Sequence, residues 1–351
     1  MKKVLVVDDS ALVRKQLREL ITQMGFEVDI AKNGAEAVEK ARSTNFDLIT
    51  MDVNMPVMDG LTAVKKIMAV NPTPILMVSS LTSEDAPTTI QAIEYGAVDY
   101  VAKPGTFNVG LADNGQDLQD KITSLARMSR QKLERMLASK NRRVTKEVHE
   151  PIVSKKRSSS EINKVLLIGA STGGPGLIDD ICSSIPGDYN LPVFVVQHMP
   201  AKFTEAFATR LARVSNLPVV EAANNEEVSP GCIYIAKGGV HLHFAKKVSG
   251  KIVMRLEEER GASFFQPSVD EMMLSAVETF DAKNIIGVLL TGIGDDGADG
   301  MVEIKRRGGY TLGESEASST VYGMPREAFE RGGVSEQLDF QDILRKLVAL
   351  K

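Results

Sequence analysis

Cysteine is nearly absent from this 351-residue chain, which has only Cys182 and Cys232. Two thiols are too few for a disulfide framework, and neither has a metal-ligand spacing. Both read as small apolar core residues in a reducing compartment. Long apolar runs are missing too, and none would span a bilayer, so no membrane insertion is expected. The opening Met-Lys-Lys and VLVV look superficially like an export signal, but Asp8 and Asp9 end the run long before such a segment is complete. Nor does one sign of charge dominate. Forty-two basic and 46 acidic residues leave a net charge of −4, which gives no bulk attraction to nucleic acid. Only four histidines occur, so few imidazoles compete for any catalytic role. There is no internal repeat and no low-complexity segment. What remains is a soluble, cytoplasmic protein whose length and 43% hydrophobic content suit two cores.

From Lys2 to about Leu125, the short runs KVLVVDD, EVDIAK, FDLITMDV, PILMVSS and DYVAKP alternate with helical patterns opening near Ser10, Gly34, Gly60, Ser83 and Gln116. That alternation predicts a (βα)5 domain with a parallel, flavodoxin-like sheet over 1–125. A linker is expected over 126–163. From Arg127 to Lys164 it carries twelve Lys or Arg against four Glu, with a KKRSSS stretch near its end. No aromatic residue interleaves the basic run and no helix-turn-helix follows, so a solvated linker, helical at its start, fits better than a nucleic-acid patch. Residues 164–351 resume the βα alternation, with a β-rich middle of CIYIAK, VHLHF and KIVMRL and a turn at Ser249-Gly250. This predicts a second α/β domain, a doubly wound, mostly parallel sheet carrying a β-hairpin insertion.

Polar residues collect at the ends of the predicted strands. Asp8 and Asp9 end the first and Asp52 the third. In a 2-1-3-4-5 strand order these carboxylates share one crevice. Like charges packed together call for a cation, and Mg²⁺ takes carboxylate oxygens with waters and phosphate oxygens. Ser79 and Lys103 end the fourth and fifth strands, where a hydroxyl and an ammonium reach a phosphoryl group on Asp52. Singly, each aspartate reads as a helix cap; five polar strand ends together point to a site. VLVVDDS, DLITMDVNMPVMDG, MVSS and YVAKP resemble the response-regulator receiver family over about the first 120 residues. The resemblance implies that Asp52 is the phosphoacceptor and that Asp8, Asp9, Asp52 and the backbone carbonyl of Asn54 hold Mg²⁺. It also implies that Ser79 and Lys103 bind the phosphoryl group and that Tyr100 is the aromatic switch.

In the second half, VLLIGASTGGPG (Val165 to Gly176), VVQHMP around His198 and LLTGIGDDGADG around Asp296 each place a polar residue after an apolar run. Gly169 to Gly173 satisfies G-x-S-x-G, which puts Ser171 on a sharp strand-to-helix turn with helix amides facing a developing oxyanion. Such turns also bind phosphate or cap helices, but no Lys follows as in a nucleotide-binding loop. Among the histidines, His149 lies in the linker, and His241 and His243 share one strand face as packed or exposed residues. Only His198 follows a buried strand in the layer of Ser171. An imidazole, with an ordinary pKa of about 6.5, takes a serine proton at neutral pH. Asp296 and its neighbour Asp295 compete as the orienting acid, and either reads equally as a cap for the helix at Gly297. The order Ser, His, Asp differs from that of α/β-hydrolases.

IGASTGGP, VVQHMP, PGCIYIAKGGVHL, PSVD, LLTGIGDDGADG and YGMPREA resemble the catalytic domain of the chemotaxis protein-glutamate methylesterase family from about Lys164 to Leu350. The receiver in front matches that family's layout. The resemblance implies a Ser171 nucleophile, a His198 general base, Asp296 as orienting acid and Thr172 at the oxyanion site. Asp295 stands where many relatives have Asn, Ile293 where Met is frequent, and Gln266 where a basic residue is usual. The implied reaction is hydrolysis of glutamate γ-methyl esters, and deamidation of glutamines, on methyl-accepting chemoreceptors. A histidine kinase is the implied phosphodonor, no cofactor is required for ester hydrolysis, and the chain is expected to be monomeric. Phosphorylation of Asp52 is expected to uncover the Ser171 crevice. A DNA-binding regulator and a nucleotide-binding module are the alternatives from other classes.

Overall fold

In a computed structural model, which describes residues 1–80, 82, 84–103, 114–141, 162, 164–258 and 265–350, the apolar runs become strands. The chain divides into two units, Met1–Glu147 and Val148–Lys351. In the first, β1 (Lys3–Val7), β2 (Glu27–Ala31), β3 (Leu48–Asp52), β4 (Ile75–Ser79) and β5 (Asp99–Ala102) pair in the order β2-β1-β3-β4-β5. Every pairing is parallel. Burial on both faces explains the near-continuous apolar sequence of β3 and β4.

Helices α1 (Ala11–Gln23), α2 (Gly34–Ser43) and α3 (Gly60–Val70) start where a polar side chain takes up free amides. Ser10, Asn33 and Asp59 accept from Val13, from Ala35 and Glu36, and from Thr62, respectively. After α4 (Asp85–Glu94) and α5 (Asn114–Ala126) comes α6 (Arg130–Asn141). Leu133, Met136 and Leu137 recur at helical spacing on α6, and Leu133 is fully buried with Leu118, Ile122 and Leu125. The stretch expected to open the linker at residue 126 therefore contributes to the first domain's core, and the unit extends past residue 125. His149, the KKRSSS stretch and the helix start at Ser83 lie outside the described residues.

In the second unit, β6 (Val165–Ala170), β7 (Val193–Gln197), β8 (Val219–Glu221), β9 (Ile233–Ile235), β12 (Ile285–Leu289), β13 (Tyr310–Glu314) and β14 (Glu336–Leu338) form a seven-stranded sheet. Its order is β14-β13-β12-β6-β7-β9-β8, parallel throughout. The expected insertion is the antiparallel hairpin of β10 (His241–Lys246) and β11 (Ile252–Glu257). CIYIAK, expected in the β-rich middle, supplies β9 of the main sheet. Helices α7 (Gly174–Ser184), α8 (Ala201–Leu211), α9 (Val269–Thr279), α10 (Ala298–Arg306), α11 (Met324–Glu330) and α12 (Phe340–Ala349) complete the unit. Its core joins Phe194, Tyr234 and Phe244 to Val269, Met272 and Met273 of α9.

Candidate active site

In the first unit, the ends of β1, β3 and β5 bring four charged side chains together. Asp8 and Asp52 are buried and Asp9 is exposed, and carboxylate oxygens of the three lie within 4.8 Å of one another. Lys103 Nζ is 3.1 Å from Asp8 Oδ2 and 2.8 Å from Asp52 Oδ2. The other oxygen of each aspartate is held by backbone: Ser10 N donates to Asp8 Oδ1 and Val53 N to Asp52 Oδ1. Burial, reinforced by the charge of Asp8, pushes the Asp52 carboxyl up to about 6 against the pull of Lys103. Ser79 is buried at the end of β4, and its carbonyl accepts from Lys103 N at 2.8 Å. The Asn54 side chain donates to Asp85 Oδ1 at 2.6 Å. Tyr100 is buried, with Lys121 Nζ 5.4 Å from its ring centre. One ammonium among three carboxylates leaves negative charge uncompensated, so the donor set suits a small divalent cation.

In the second unit the sheet order reverses at β6, which lies between β12 and β7. Open α/β sheets place their ligand crevice at such a point. The register pairs Ala170 with Gln197, and His198 N donates to Ala170 O at 3.1 Å. Ser171 and His198 therefore leave adjacent strands side by side, at a strand spacing of about 4.8 Å. From the other side, Ser171 N donates to Thr291 O at 2.9 Å, and Thr291 Oγ1 donates to Thr172 O at 2.8 Å. Gly173 then turns the chain into α7 at φ +79°, where a side chain would meet Thr320 at 2.5 Å. Gly292 makes room beneath Ser171; a Cβ there would lie 2.1 Å from Met324 Sδ and 2.9 Å from Ser171 Cβ.

The side chains of His198 and Asp296 are each only 7% exposed, with Nε2 2.7 Å from Asp296 Oδ2. An ionised carboxylate only accepts, so Nε2 carries the hydrogen and Nδ1 keeps the basic lone pair. Nδ1 is buried without a hydrogen-bond partner among the described residues, and Ser171 Oγ is not bonded to it. Asp296 receives three further donors from the start of α9: Ser268 Oγ at 2.7 Å to Oδ1, Val269 N at 2.7 Å to Oδ2 and Asp270 N at 3.0 Å to Oδ1. Burial alone would raise its pKa, but the bonds from His198, Ser268 and Val269 outweigh it and hold the carboxyl below the usual range. A helix N-terminus is a favourable place for that charge. Asp295, the rival acid, points elsewhere: it is exposed and pairs with Arg331 at 2.5 Å.

The remaining residues singled out in the sequence are placed as follows. Thr172 is buried beside Ser171, and its Oγ1 has no partner among the described residues. His241 is buried, whereas His243 lies between Glu257 at 3.0 Å and Glu271 at 3.2 Å. Ile293 is half-buried on the loop before α10, and the Gln266 carbonyl accepts from Gly239 N at 3.1 Å. Cys182 and Cys232 are both buried in the core, as small apolar residues would be.

Three contributors escaped the sequence reading. Gln197 Nε2 donates to Ser171 O at 2.9 Å, steadying the turn that carries Ser171; a polar residue closing a buried strand beside His198 was the available signal. Ser268 was visible only as part of the PSVD motif. Phe265 lies flat on His198, with ring centres 4.0 Å apart and planes 10° from parallel, and no local pattern announces it.

The family model for CheB methylesterase matches residues 166–347, and that for the response regulator receiver domain matches residues 4–117. A protein-glutamate methylesterase/protein-glutamine glutaminase of Caldanaerobacter subterraneus is 45% identical, covering 99% of this chain and 96% of its own. One from Archaeoglobus fulgidus is 42% identical, covering 99% and 97%. The crystal structure of the Thermotoga maritima CheB methylesterase catalytic domain superposes with a TM-score of 0.52 at 38% identity, covering 54% of this chain and 99% of that one. A full-length likeness of this strength, joined to a Ser, His and Asp set at one sheet crevice and an acidic pocket in a second domain, means that the chain belongs to the CheB methylesterase family, with a response-regulator receiver domain ahead of the catalytic one.

Proposed function

We propose that Ser171, His198 and Asp296 carry out the family's hydrolysis on glutamate γ-methyl esters of methyl-accepting chemoreceptors. Ser171 Oγ attacks the ester carbonyl while His198 Nδ1 takes its proton; methanol leaves with that proton, and an acyl-enzyme remains. Water, deprotonated by His198, then attacks the acyl carbon and frees the glutamate carboxylate and Ser171. A glutamine side chain follows the same course with ammonia as leaving group. Asp296 fixes the tautomer and steadies the imidazolium, and Thr172 lies where the oxyanion forms. The observation that supports this reading above all is the 2.7 Å bond from His198 to an Asp296 already engaged by α9, beside the strand end that carries Ser171.

In the receiver, Asp52 is the proposed phosphoacceptor, with Ser79 and Lys103 on the phosphoryl oxygens and a histidine kinase as donor. Asp8, Asp9, Asp52 and the Asn54 carbonyl would hold Mg²⁺, which supplies charge neutralisation for phosphoryl transfer when bound. Phosphorylation raises esterase turnover. No helix among the described residues is long and apolar enough to cross a membrane. The proposed enzyme acts as a cytoplasmic monomer that meets the receptor from inside. Methanol release from methylated receptor, measured on the full chain with and without a small phosphodonor, tests the reading. A chain that releases no methanol under either condition overturns it.

A further inference from the structure

We infer that Phe265 is a positioning residue for the general base, its ring setting the plane in which the His198 imidazole lies. This builds on the assignment of His198 as base. The two rings are stacked face to face, 4.0 Å between centres and 10° apart in plane, closer than most aromatic pairs. Histidine χ2 is a broad torsion, so the single bond from Nε2 to Asp296 leaves the ring free to tilt about it. A tilt that keeps this bond swings Nδ1 away from the Ser171 side. A flat neighbour on one face removes that freedom and keeps water off the same face.

The backbone that carries Phe265 is tied down within three residues. Gln266 O accepts from Gly239 N at 3.1 Å, Pro267 is buried, and Ser268 Oγ donates to Asp296 at 2.7 Å. One short segment thus roofs the imidazole with a ring and holds the carboxylate with a hydroxyl and two amides. Phe265 and these donors to Asp296 belong to one run of six residues. Phe265 has no polar side-chain atom, so its contribution is planarity and shape rather than proton transfer.

The test compares Phe265→Leu, Phe265→Tyr and His198→Gln in the full chain. Leucine keeps bulk and apolarity but loses the flat face. Phe265→Leu is expected to lower kcat about tenfold, the cost of a misplaced catalytic group, with KM within about twofold of the parent. Phe265→Tyr is expected to restore kcat, and labelling of Ser171 by a fluorophosphonate should slow and recover in step. Parent-like kcat in the leucine variant overturns the inference. So does a rise in KM alone, which would make Phe265 a substrate contact, or a failure of tyrosine to rescue. If leucine unfolds the domain, the tyrosine variant decides: it folds and turns over normally, or the inference fails. An active His198→Gln would sink the base assignment itself, whereas an inactive one beside a parent-like leucine variant would sink only the role of the stack.

Discussion

Asp52 and Asp296 are both buried aspartates on the carboxyl side of a parallel sheet, yet their acidities diverge. Burial lifts the first to about 6, while the second lies below the ordinary carboxylate range. The difference lies in their partners. Asp52 has Val53 N on one oxygen and Lys103 on the other, and faces the like charge of Asp8. Asp296 has four donors around its two oxygens, one of them the imidazole, and three supplied by the start of one helix. In the role proposed for Asp52, attack on phosphorus, an oxygen must be left free of fixed backbone donors, and among the described residues Asp52 Oδ2 has only the Lys103 ammonium. A carboxylate that must orient a base needs every lone pair engaged. Burial alone predicts neither behaviour.

That contrast can be broken in several ways, the largest effect coming from the nucleophile. Ser171→Ala should lower methanol release by on the order of 10⁴-fold or more while circular dichroism stays unchanged. Residual turnover near the parent's would rule out the covalent route. Asp296→Asn should cost about 10³- to 10⁴-fold in kcat, because an amide cannot hold the same tautomer. If Asn supports near-normal turnover, the engaged carboxylate is not what orients His198. Asp52→Asn should remove the response to a small phosphodonor, a response of about tenfold in the parent, which requires only about 1.4 kcal/mol. A variant that still responds would place the phosphoacceptor elsewhere.

The smallest effect sharpens the comparison within the catalytic domain. Asp270 is pushed up to about 6 by burial and by the charge of Asp296, against a bond from Gly300 N. Its native pKa lies above the ordinary 3.8, so the folded state binds the extra proton between those values. Stability from this group is full below about pH 4 and is lost as pH rises through about 6. Asp270→Asn should remove that slope and stabilise the domain at pH 7.5 by on the order of 1–2 kcal/mol, read as a higher unfolding temperature. Identical pH profiles for the two proteins would mean that Asp270 is not strained when ionised.

The receiver was legible almost residue by residue. Its strands end in the polar groups that form its pocket, and Ser10, Asn33 and Asp59 mark helix starts in plain sight. The catalytic sheet was legible in its long strands, whereas β8 and β14, three residues each, carry too little apolar pattern to stand out. In α6 the surplus of charge hid a stripe formed by Leu133, Met136 and Leu137. Ser171, His198 and Asp296 announce themselves by position after apolar runs. The groups that hold them do not, because Ser268 lies 28 residues before its acceptor and Phe265 adjoins His198 only after folding. Local pattern reveals which atoms are offered, and tertiary closure decides which of them are steadied.

Gly292 shows how little tolerance lies under Ser171. A methyl there would sit between Ser171 and Met324, the first residue of α11 within the YGMPREA segment. Even alanine at 292 must therefore displace the serine's own Cβ or the sulfur below it. An engineer wishing to retune this enzyme for bulkier esters would therefore leave position 292 as glycine and begin elsewhere.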